Sequence, residues 1–344
     1  MIRQNFNADW TVEKGDGNSR MNSFLGNTQT QTVHLPYDAM IHEARTPDTK
    51  NGAQTGFYPG GEYIFQKHFT APQAWQGKPV SLVFEGVYQT ALVYLNGWLL
   101  TRNVNGYAEF TVEADPYLKY GADNLLKVIA DNSLEPNSRW YTGSGIYRPV
   151  RLLVGNKVYL PQDTVRITTR EVGEGFALVD VTAQVQSASA VTERVTLQQT
   201  ICREGMAVLT DRQNLLLQPG ESRIVSFRYC VDSPALWSPE NPNLYTSTMQ
   251  VLEGEEELDR EETSFGIRTL SIDASHGVRI NGQTVKLRGA CIHHDNGILG
   301  AATLPDAEER RIRQLKEAGF NAIRSSHHRQ GGRCWMPATG TVCW

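Results

Sequence analysis

The chain has 344 residues, of which 40% are hydrophobic and 20% charged, and its formal net charge is −4. This length is enough for two or three domains with buried cores, and the small net charge argues against a nucleic-acid partner. No apolar run approaches the ~18–20 residues of a membrane helix. The polar start MIRQNFNADW has no apolar signal core, so we expect a cytoplasmic protein without a membrane partner.

The cysteine pattern argues against disulfides and zinc ribbons. The number of cysteines is odd, their spacing is irregular and no CxxC pair occurs among Cys202, Cys230, Cys291, Cys334 and Cys343. We therefore expect ordinary reduced thiols.

Up to about residue 155 the sequence predicts short strands separated by turn residues. The segments with β-branched or aromatic residues in rough alternation are 62–70, 79–87, 90–100, 107–114 and 124–132. Asn96-Gly97 lies between two apolar runs, which indicates a tight hairpin. Strands at this spacing are typical of an all-β sandwich, which we predict over residues 1–157.

A second β block follows. Alternation is clearer in 163–172, 176–186, 193–202, 221–231, 244–253 and 261–273. Strands of this number and length favour an immunoglobulin-like sandwich over residues 158–271. The charge run EGEEELDREE at 253–262 is expected to be a solvated turn and strand edge.

After residue 275 the pattern changes to strand, helix, strand. VKLRG (285–289) and NAIR (321–324) are predicted as short buried strands. Between them LPDAEERRIRQLKEAGF is predicted as one helix, with a capping box formed by Asp306 and Glu309. This order implies the start of a parallel α/β domain over residues 272–328.

Polar side chains follow both of these strands. In a parallel barrel the loops at the carboxyl ends of the strands form the active site, so we expect one polar binding site here. Its candidate residues are Cys291, His293, His294, Asp295, Asn296, Arg324, Ser325, Ser326, His327 and His328. A zinc cluster is disfavoured because adjacent His-His-Asp is poor ligand spacing on a loop.

Five motifs in a fixed order resemble family 2 of the glycoside hydrolases, the β-galactosidase group. RGACIHHDNGILGAA, a capped helix and GFNAIRSSHH resemble the opening of its catalytic barrel, and FGIRTLSID…GVRINGQTVKLRG resembles the junction before it. RWYTGSGIYRPVRL, YPGGEYIFQKHF and YLNG…GYAEFTV resemble its N-terminal sandwich. The resemblance covers roughly residues 1–328.

The resemblance implies a mainly β chain: a jelly-roll-like sandwich of a sugar-binding type, an immunoglobulin-like sandwich, and the first βα units of an incomplete (β/α)8 TIM barrel. It implies hydrolysis of O-glycosyl bonds at non-reducing β-linked sugars by a retaining mechanism. Carbohydrate is then the partner, no cofactor is needed, and homo-oligomerisation of full-length members stays open. β-Glucuronidase, β-mannosidase and a non-catalytic carbohydrate-binding module remain alternatives.

The resemblance also implies substrate-binding residues. The matching positions are His293, Arg324, His327, Arg139, Trp140 and Tyr141. Two structural alternatives stay open: Arg324 as a packed core residue, and Trp140-Tyr141 as part of the sandwich edge. The stretch CIHHDNG departs from the commonest, Arg-His-rich version, which leaves the partners of His294 and Asp295 open.

The catalytic pair of the resembled family is absent from this sequence. A retaining glycosidase needs two carboxylates about 5–5.5 Å apart, and in the family both are glutamates on later barrel strands. No Asp or Glu follows Glu317, so neither a catalytic residue nor a metal ligand is assigned. We expect a chain truncated within the barrel and inactive alone, with marginal stability over 275–344 because barrel edges stay unpaired.

The unpatterned end, residues 329–344, suggests a frameshift. Read one nucleotide earlier, the codons of RCWMPA give Leu, Met or Val, then Leu, Asp and Ala, and they permit Cys. This spells L-L-D-A-C, the next helix of the resembled family. Our hypothesis is a single-nucleotide frameshift near His328.

Overall fold

The computed structural model describes residues 1–15, 30–134, 137–326 and 328. This part of the chain forms two β-sandwiches followed by a short β/α segment. Within it, no helix has the length and apolar character needed to cross a membrane. His327 and the segment 329–344, with its frameshift hypothesis, lie outside the described residues.

The first sandwich packs two antiparallel sheets around one apolar core. Its sheets have the strand orders β1-β10-β5-β8 and β3-β2-β4-β9-β6-β7. The strands are β1 (Ile2–Asn5), β2 (Trp10–Lys14), β3 (Gln31–Val33), β4 (Gly61–Thr70), β5 (Val80–Phe84), β6 (Thr90–Leu95), β7 (Trp98–Asn103), β8 (Phe110–Glu113), β9 (Asp123–Asn132) and β10 (Val150–Val154). Alternate residues of the strands face inward, and Trp10, Phe65, Phe84 and Leu126 are fully buried between the sheets.

The predicted hairpin at Asn96-Gly97 is confirmed. Both residues have positive φ, 52° and 90°, as a two-residue turn of this kind requires. The segment 90–100 is divided at this turn into β6 and β7, which pair from Leu95 and Trp98 onward.

The second sandwich is built from longer and more regular strands. The strands are β11 (Val158–Tyr159), β12 (Arg166–Gly173), β13 (Phe176–Ser187), β14 (Glu193–Arg203), β15 (Met206–Leu217), β16 (Ser222–Asp232), β17 (Tyr245–Glu253) and β18 (Glu256–Phe265). β13 pairs with β16 and with β11 and β12, and it faces the sheet β15-β14-β17-β18. The two cores span Phe6 to Val154 and Val158 to Ile267, while the predicted domain boundaries stay predictions.

The prediction of a solvated charge run at 253–262 is wrong at two residues. The run forms the β17–β18 turn and most of β18, but Leu258 is 5% exposed and Asp259 only 2% exposed. The Asp259 carboxylate accepts a hydrogen bond from the backbone N–H of Leu160 at 2.7 Å. A buried backbone N–H needs a partner, and here a charged side chain supplies it.

The last segment contains a small antiparallel sheet and a β-α-β unit. The elements are β19 (Leu270–Asp273), β20 (Gly277–Ile280), β21 (Gln283–Thr284), β22 (Gly289–Ile292), α1 (Pro305–Glu317) and β23 (Ala322–Ser325). β22 and β23 are parallel, from Gly289 opposite Ala322 to Ile292 opposite Ser325. Ile292, Ile312 and Ile323 form a small core between helix and strands. The parallel unit is confirmed, and its assignment to a TIM barrel remains a prediction.

Two local predictions in this segment are wrong. The strand lies at 289–292 and not at 285–289, and Leu287 is 42% exposed. Asp306 and Glu309 form no capping box: the N-cap is Leu304 and makes no side-chain hydrogen bond. Pro305 occupies the first helical position, where its missing N–H removes one of the donors that a cap would satisfy.

Candidate functional site

The candidate site lies where loops of the first sandwich meet the loops that follow β22 and β23. The sandwich contributes Tyr107, on the loop between β7 and β8, and Trp140, on the segment between β9 and β10. The β-α-β unit contributes His293 and His294 after β22 and His328 after β23. We call these five residues the aromatic cluster.

The rings of the aromatic cluster contact one another across the junction. Tyr107 stacks on His328 with a centroid distance of 4.8 Å and meets His294 edge-on at 5.1 Å. The Trp140 ring lies 5.2 Å from that of His293. The indole N–H of Trp140 donates to the Tyr107 hydroxyl at 3.2 Å, so the rings are held in fixed relative orientations.

His294 is the most buried member of the cluster, with 1% exposure. Its Nε2 lies 2.8 Å from the backbone carbonyl oxygen of Thr142. Because a carbonyl can only accept, Nε2 carries the proton. Burial lowers the pKa of His294 to about 3, so the ring is neutral at physiological pH. The sequence left the partner of His294 open, and the structure shows that it is the carbonyl of Thr142 in the first sandwich.

Asp38 joins three separate parts of the chain at this junction. Its Oδ1 accepts from the backbone N–H groups of Met40 and Ser144 at 3.1 and 3.0 Å. Its Oδ2 accepts from the N–H of Ala301 at 2.8 Å and from the Tyr141 hydroxyl at 2.6 Å. Asp38 is 1% exposed. Burial raises its pKa, and these hydrogen bonds act against that rise. With its lone pairs occupied in this way, Asp38 is not available as a general base.

The close approach around Asp38 requires a glycine. A Cβ on Gly300 would lie 2.2 Å from Asp38 Oδ2, and the residue has φ +61°. Only glycine fits at position 300 of the sequence ILGAA, because any Cβ there would clash with the carboxylate that the Ala301 N–H contacts.

The predicted site residues are only partly brought together. Trp140 and His293 lie in the aromatic cluster, whereas the Tyr141 hydroxyl is bound to Asp38 and its ring packs 5.9 Å from Tyr58. Arg139 and Arg324 are exposed. The alternative interpretation of Arg324 as a packed core residue therefore does not describe this structure.

Tyr107 and Arg148 contribute to the site although the sequence did not single them out. Tyr107 was predicted as the first residue of a strand, but β8 begins at Phe110. Arg148, 1% exposed, donates to the Tyr107 carbonyl at 3.0 Å and lies 5.0 Å from the Tyr147 ring. Both residues belong to quoted motifs, GYAEFTV and RWYTGSGIYRPVRL, and this membership was the only signal in the sequence that could have identified them.

In the described ranges no group of three or more His, Cys, Asp or Glu side chains is placed to hold a metal.

Cys291 is expected to be the more reactive of the two exposed thiols in the part of the chain that the structure describes. Its Sγ lies 3.6 Å from Arg324 Nη1, and Arg324, followed by Ser326, lowers its pKa. Cys230 is also exposed, but its thiol faces the Asp232 carboxylate at 4.0 Å. Because the thiolate is the nucleophile, iodoacetamide should label Cys291 several-fold faster than Cys230, as peptide mass mapping would measure. Arg324→Gln should slow Cys291 alone; an unchanged rate would contradict this account.

Comparison with known proteins gives consistent matches over most of the chain. Residues 10–166 match a family model described as glycosyl hydrolase 2 galactose-binding domain-like, and residues 158–268 match that of glycosyl hydrolases family 2. The β-galactosidase BoGH2A of Bacteroides ovatus is 36% identical over 327 residues, which are 95% of this chain and 38% of that protein.

Solved structures agree with these sequence matches. A glycosyl hydrolase family 2 member from Bacteroides cellulosilyticus superposes with a TM-score of 0.93 at 33% identity, covering 100% of this chain and 45% of that one. A β-glucuronidase of Bacteroides uniformis gives a TM-score of 0.88 at 25% identity, covering 100% and 42%. The chain thus spans less than half the length of each of these relatives.

Proposed function

The chain belongs to glycosyl hydrolase family 2, and on that premise we propose that it supplies part of the pocket for the non-reducing-end sugar in a β-galactosidase-type hydrolase. The reaction would be retaining hydrolysis of a β-linked glycoside. β-Galactosidases and β-glucuronidases both occur among the similar proteins, so the choice of galactose is the part of the proposal that needs the most direct test.

The aromatic cluster is the observation that supports this proposal. Aromatic faces cover the apolar face of a pyranose ring, and ring N–H groups donate to its hydroxyls. Trp140 and Tyr107 provide such faces and are fixed by their mutual hydrogen bond. His293 lies beside Trp140, and the exposed Arg139 and Arg324 offer further donors. Rings held in place before binding lose little conformational entropy when a sugar arrives.

The carboxylates that a retaining hydrolysis requires are not among the residues of the aromatic cluster. The two carboxylates of a retaining mechanism have no candidates after Glu317, and Asp38 is occupied by its hydrogen-bond donors. We therefore propose that the 344-residue polypeptide recognises sugar without hydrolysing it. For residues 329–344 we retain the frameshift hypothesis, which sequencing of the gene tests: an intact frame with no downstream barrel-coding sequence would contradict it.

The expected result is sugar binding without turnover. The purified chain should release no chromophore from a chromogenic β-galactoside, and calorimetric titration should detect galactose. Trp140→Ala should weaken galactose binding about fivefold, because one aromatic contact is worth about 1 kcal/mol. Ile224→Ala, at a 74% exposed position of the second sandwich, is the matched control.

Two outcomes would overturn this proposal. Turnover of the β-galactoside would show that the polypeptide has its own catalytic groups. Equal galactose affinity of Trp140→Ala and the parent chain, with equal melting temperatures, would exclude the aromatic cluster as the pocket. Titration with glucuronate and mannose in parallel distinguishes the other two family specificities, and preference for either would replace galactose.

A further inference from the structure

An exposed pair of aromatic rings lies on the first sandwich, apart from the aromatic cluster. Trp98 is 65% exposed and Tyr117 is 37% exposed. Their ring centroids are 6.4 Å apart with an interplanar angle of 42°. Trp98 begins β7, the edge strand of its sheet, and Tyr117 lies on the connection between β8 and β9. Large aromatic side chains normally contribute to stability by being buried, so this exposure needs an explanation other than folding.

A partly buried amide network holds the segments that carry these two rings. Asn96 Nδ2 donates to the Tyr117 carbonyl and to Asn124 Oδ1, each at 2.8 Å, and its Oδ1 accepts from the Leu125 N–H at 3.1 Å. Asn124 is fully buried, and its amide also binds the backbone N–H and C=O of Lys119 at 2.8 and 2.9 Å. The backbone that carries the two rings is thus held in place before any ligand arrives, which reduces the entropy cost of binding.

The size of the pair favours a sugar over a protein. An aromatic side chain has about 150–250 Å² of surface, so the exposed fractions of 65% and 37% amount to roughly 200 Å² in all. A stable protein interface buries about 800 Å² on each partner, whereas one or two pyranose rings would cover an area of this size. The Tyr117 hydroxyl and the exposed Lys119 ammonium add hydrogen-bond donors for sugar hydroxyls.

We propose that Trp98 and Tyr117 form a second carbohydrate-binding surface, which takes sugar rings of a β-linked polysaccharide. β7 runs from Trp98 to Asn103 and leads into the loop that carries Tyr107. At about 3.3 Å per residue the strand alone is roughly 17 Å long, so Trp98 lies at the opposite end of β7 from the loop that carries Tyr107. The choice of a β-linked polymer rests on the proposed function; the presence of a sugar-binding surface does not.

The test compares a polymer with its monosaccharide. We expect the chain to be retarded in affinity electrophoresis by a soluble β-linked galactan, and Trp98→Ala to weaken that binding about fivefold, the worth of one aromatic contact. Galactose binding measured by calorimetry should be unchanged in Trp98→Ala, whereas Trp140→Ala should weaken it. Trp98→Phe should keep most of the galactan binding, and Ile224→Ala is again the matched control.

Three results would overturn the inference. The first is equal galactan binding by Trp98→Ala and the parent chain. The second is absence of binding to both a β-linked galactan and a β-linked glucan. The third is a parent dimer that Trp98→Ala converts to a monomer in light scattering, because the rings would then form an interface between two copies. Loss of galactan binding in Trp98→Ala without any effect of Trp140→Ala on galactose would leave this surface supported and refute only the proposed pocket.

Discussion

Replacing Asp38 by alanine is expected to lower the free energy of unfolding of the first sandwich by about 3 kcal/mol or more. The substitution leaves three backbone N–H groups and the Tyr141 hydroxyl without their acceptor. Each buried donor without a partner costs about 1–3 kcal/mol. Part of this loss is offset, because the buried carboxylate itself pays a desolvation cost, as its raised pKa indicates.

The expected pattern of the loss is local as well as global. Because Asp38 binds Ser144 and Ala301, both N–H groups should lose hydrogen-exchange protection in Asp38→Ala. Asp38→Asn keeps one acceptor oxygen, so its unfolding free energy should lie between those of the parent chain and Asp38→Ala. The control is Asp48→Ala, at an exposed position, for which urea unfolding should change by less than about 0.5 kcal/mol. A change below 1 kcal/mol in Asp38→Ala would contradict the role given to this carboxylate.

The sequence predicts strands well where one face is buried. In β13 every second residue from Ala177 to Val185 is buried, and this alternation is visible in the sequence. β15 was missed because most residues from Met206 to Asn214 are exposed and only Leu209 and Gln213 are half-buried, so no apolar period marks it. Its place in the sheet is decided by its pairing with β14, a tertiary interaction that local patterns do not contain.

The position of β22 illustrates the same limit. VKLRG reads locally as a buried strand, yet Val285 packs beside Trp237 and Ile280 and Leu287 is exposed. The parallel register with β23 starts at Gly289. Parallel strands are specified by their neighbour and by the crossover helix, so a short apolar run alone does not fix where such a strand begins.

Site residues that belong to a local sequence motif could be predicted, whereas residues that act only through distant contacts could not. Trp140 and His293 were identified through motifs of the resembled family, and both lie in the aromatic cluster. Asp38 was not identified, because its bond to Ala301 joins residues 263 positions apart. A single acidic residue in HLPYDAM carries no periodic or spacing signal, and its importance arises only when three distant segments fold together.

The stability of the junction is expected to fall as the pH drops from 7.5 to 5, and His294 should account for about 2 kcal/mol of that fall. Its pKa is lowered to about 3 in the folded protein by burial, against about 6.5 in an unfolded chain. Between these two values the unfolded state binds a proton that the folded state does not. Stability from this residue is therefore complete above pH 6.5 and is lost as the pH falls toward 3.

His294→Gln isolates this contribution from other titrating groups. The glutamine amide can still donate to the Thr142 carbonyl but does not titrate, so the difference in unfolding free energy between the two proteins should shrink by about 2 kcal/mol from pH 7.5 to 5. Ile224→Ala, at a 74% exposed position that carries no titrating group, should keep the parent's pH dependence. Urea unfolding at several pH values measures the pH dependence of both variants, and hydrogen exchange of residues 141–148 is the local probe. If the unfolding free energy of His294→Gln depends on pH as that of the parent does, then His294 is already protonated or solvated in the folded protein. Water would then reach the aromatic cluster, which contradicts the packing of its rings in this structure.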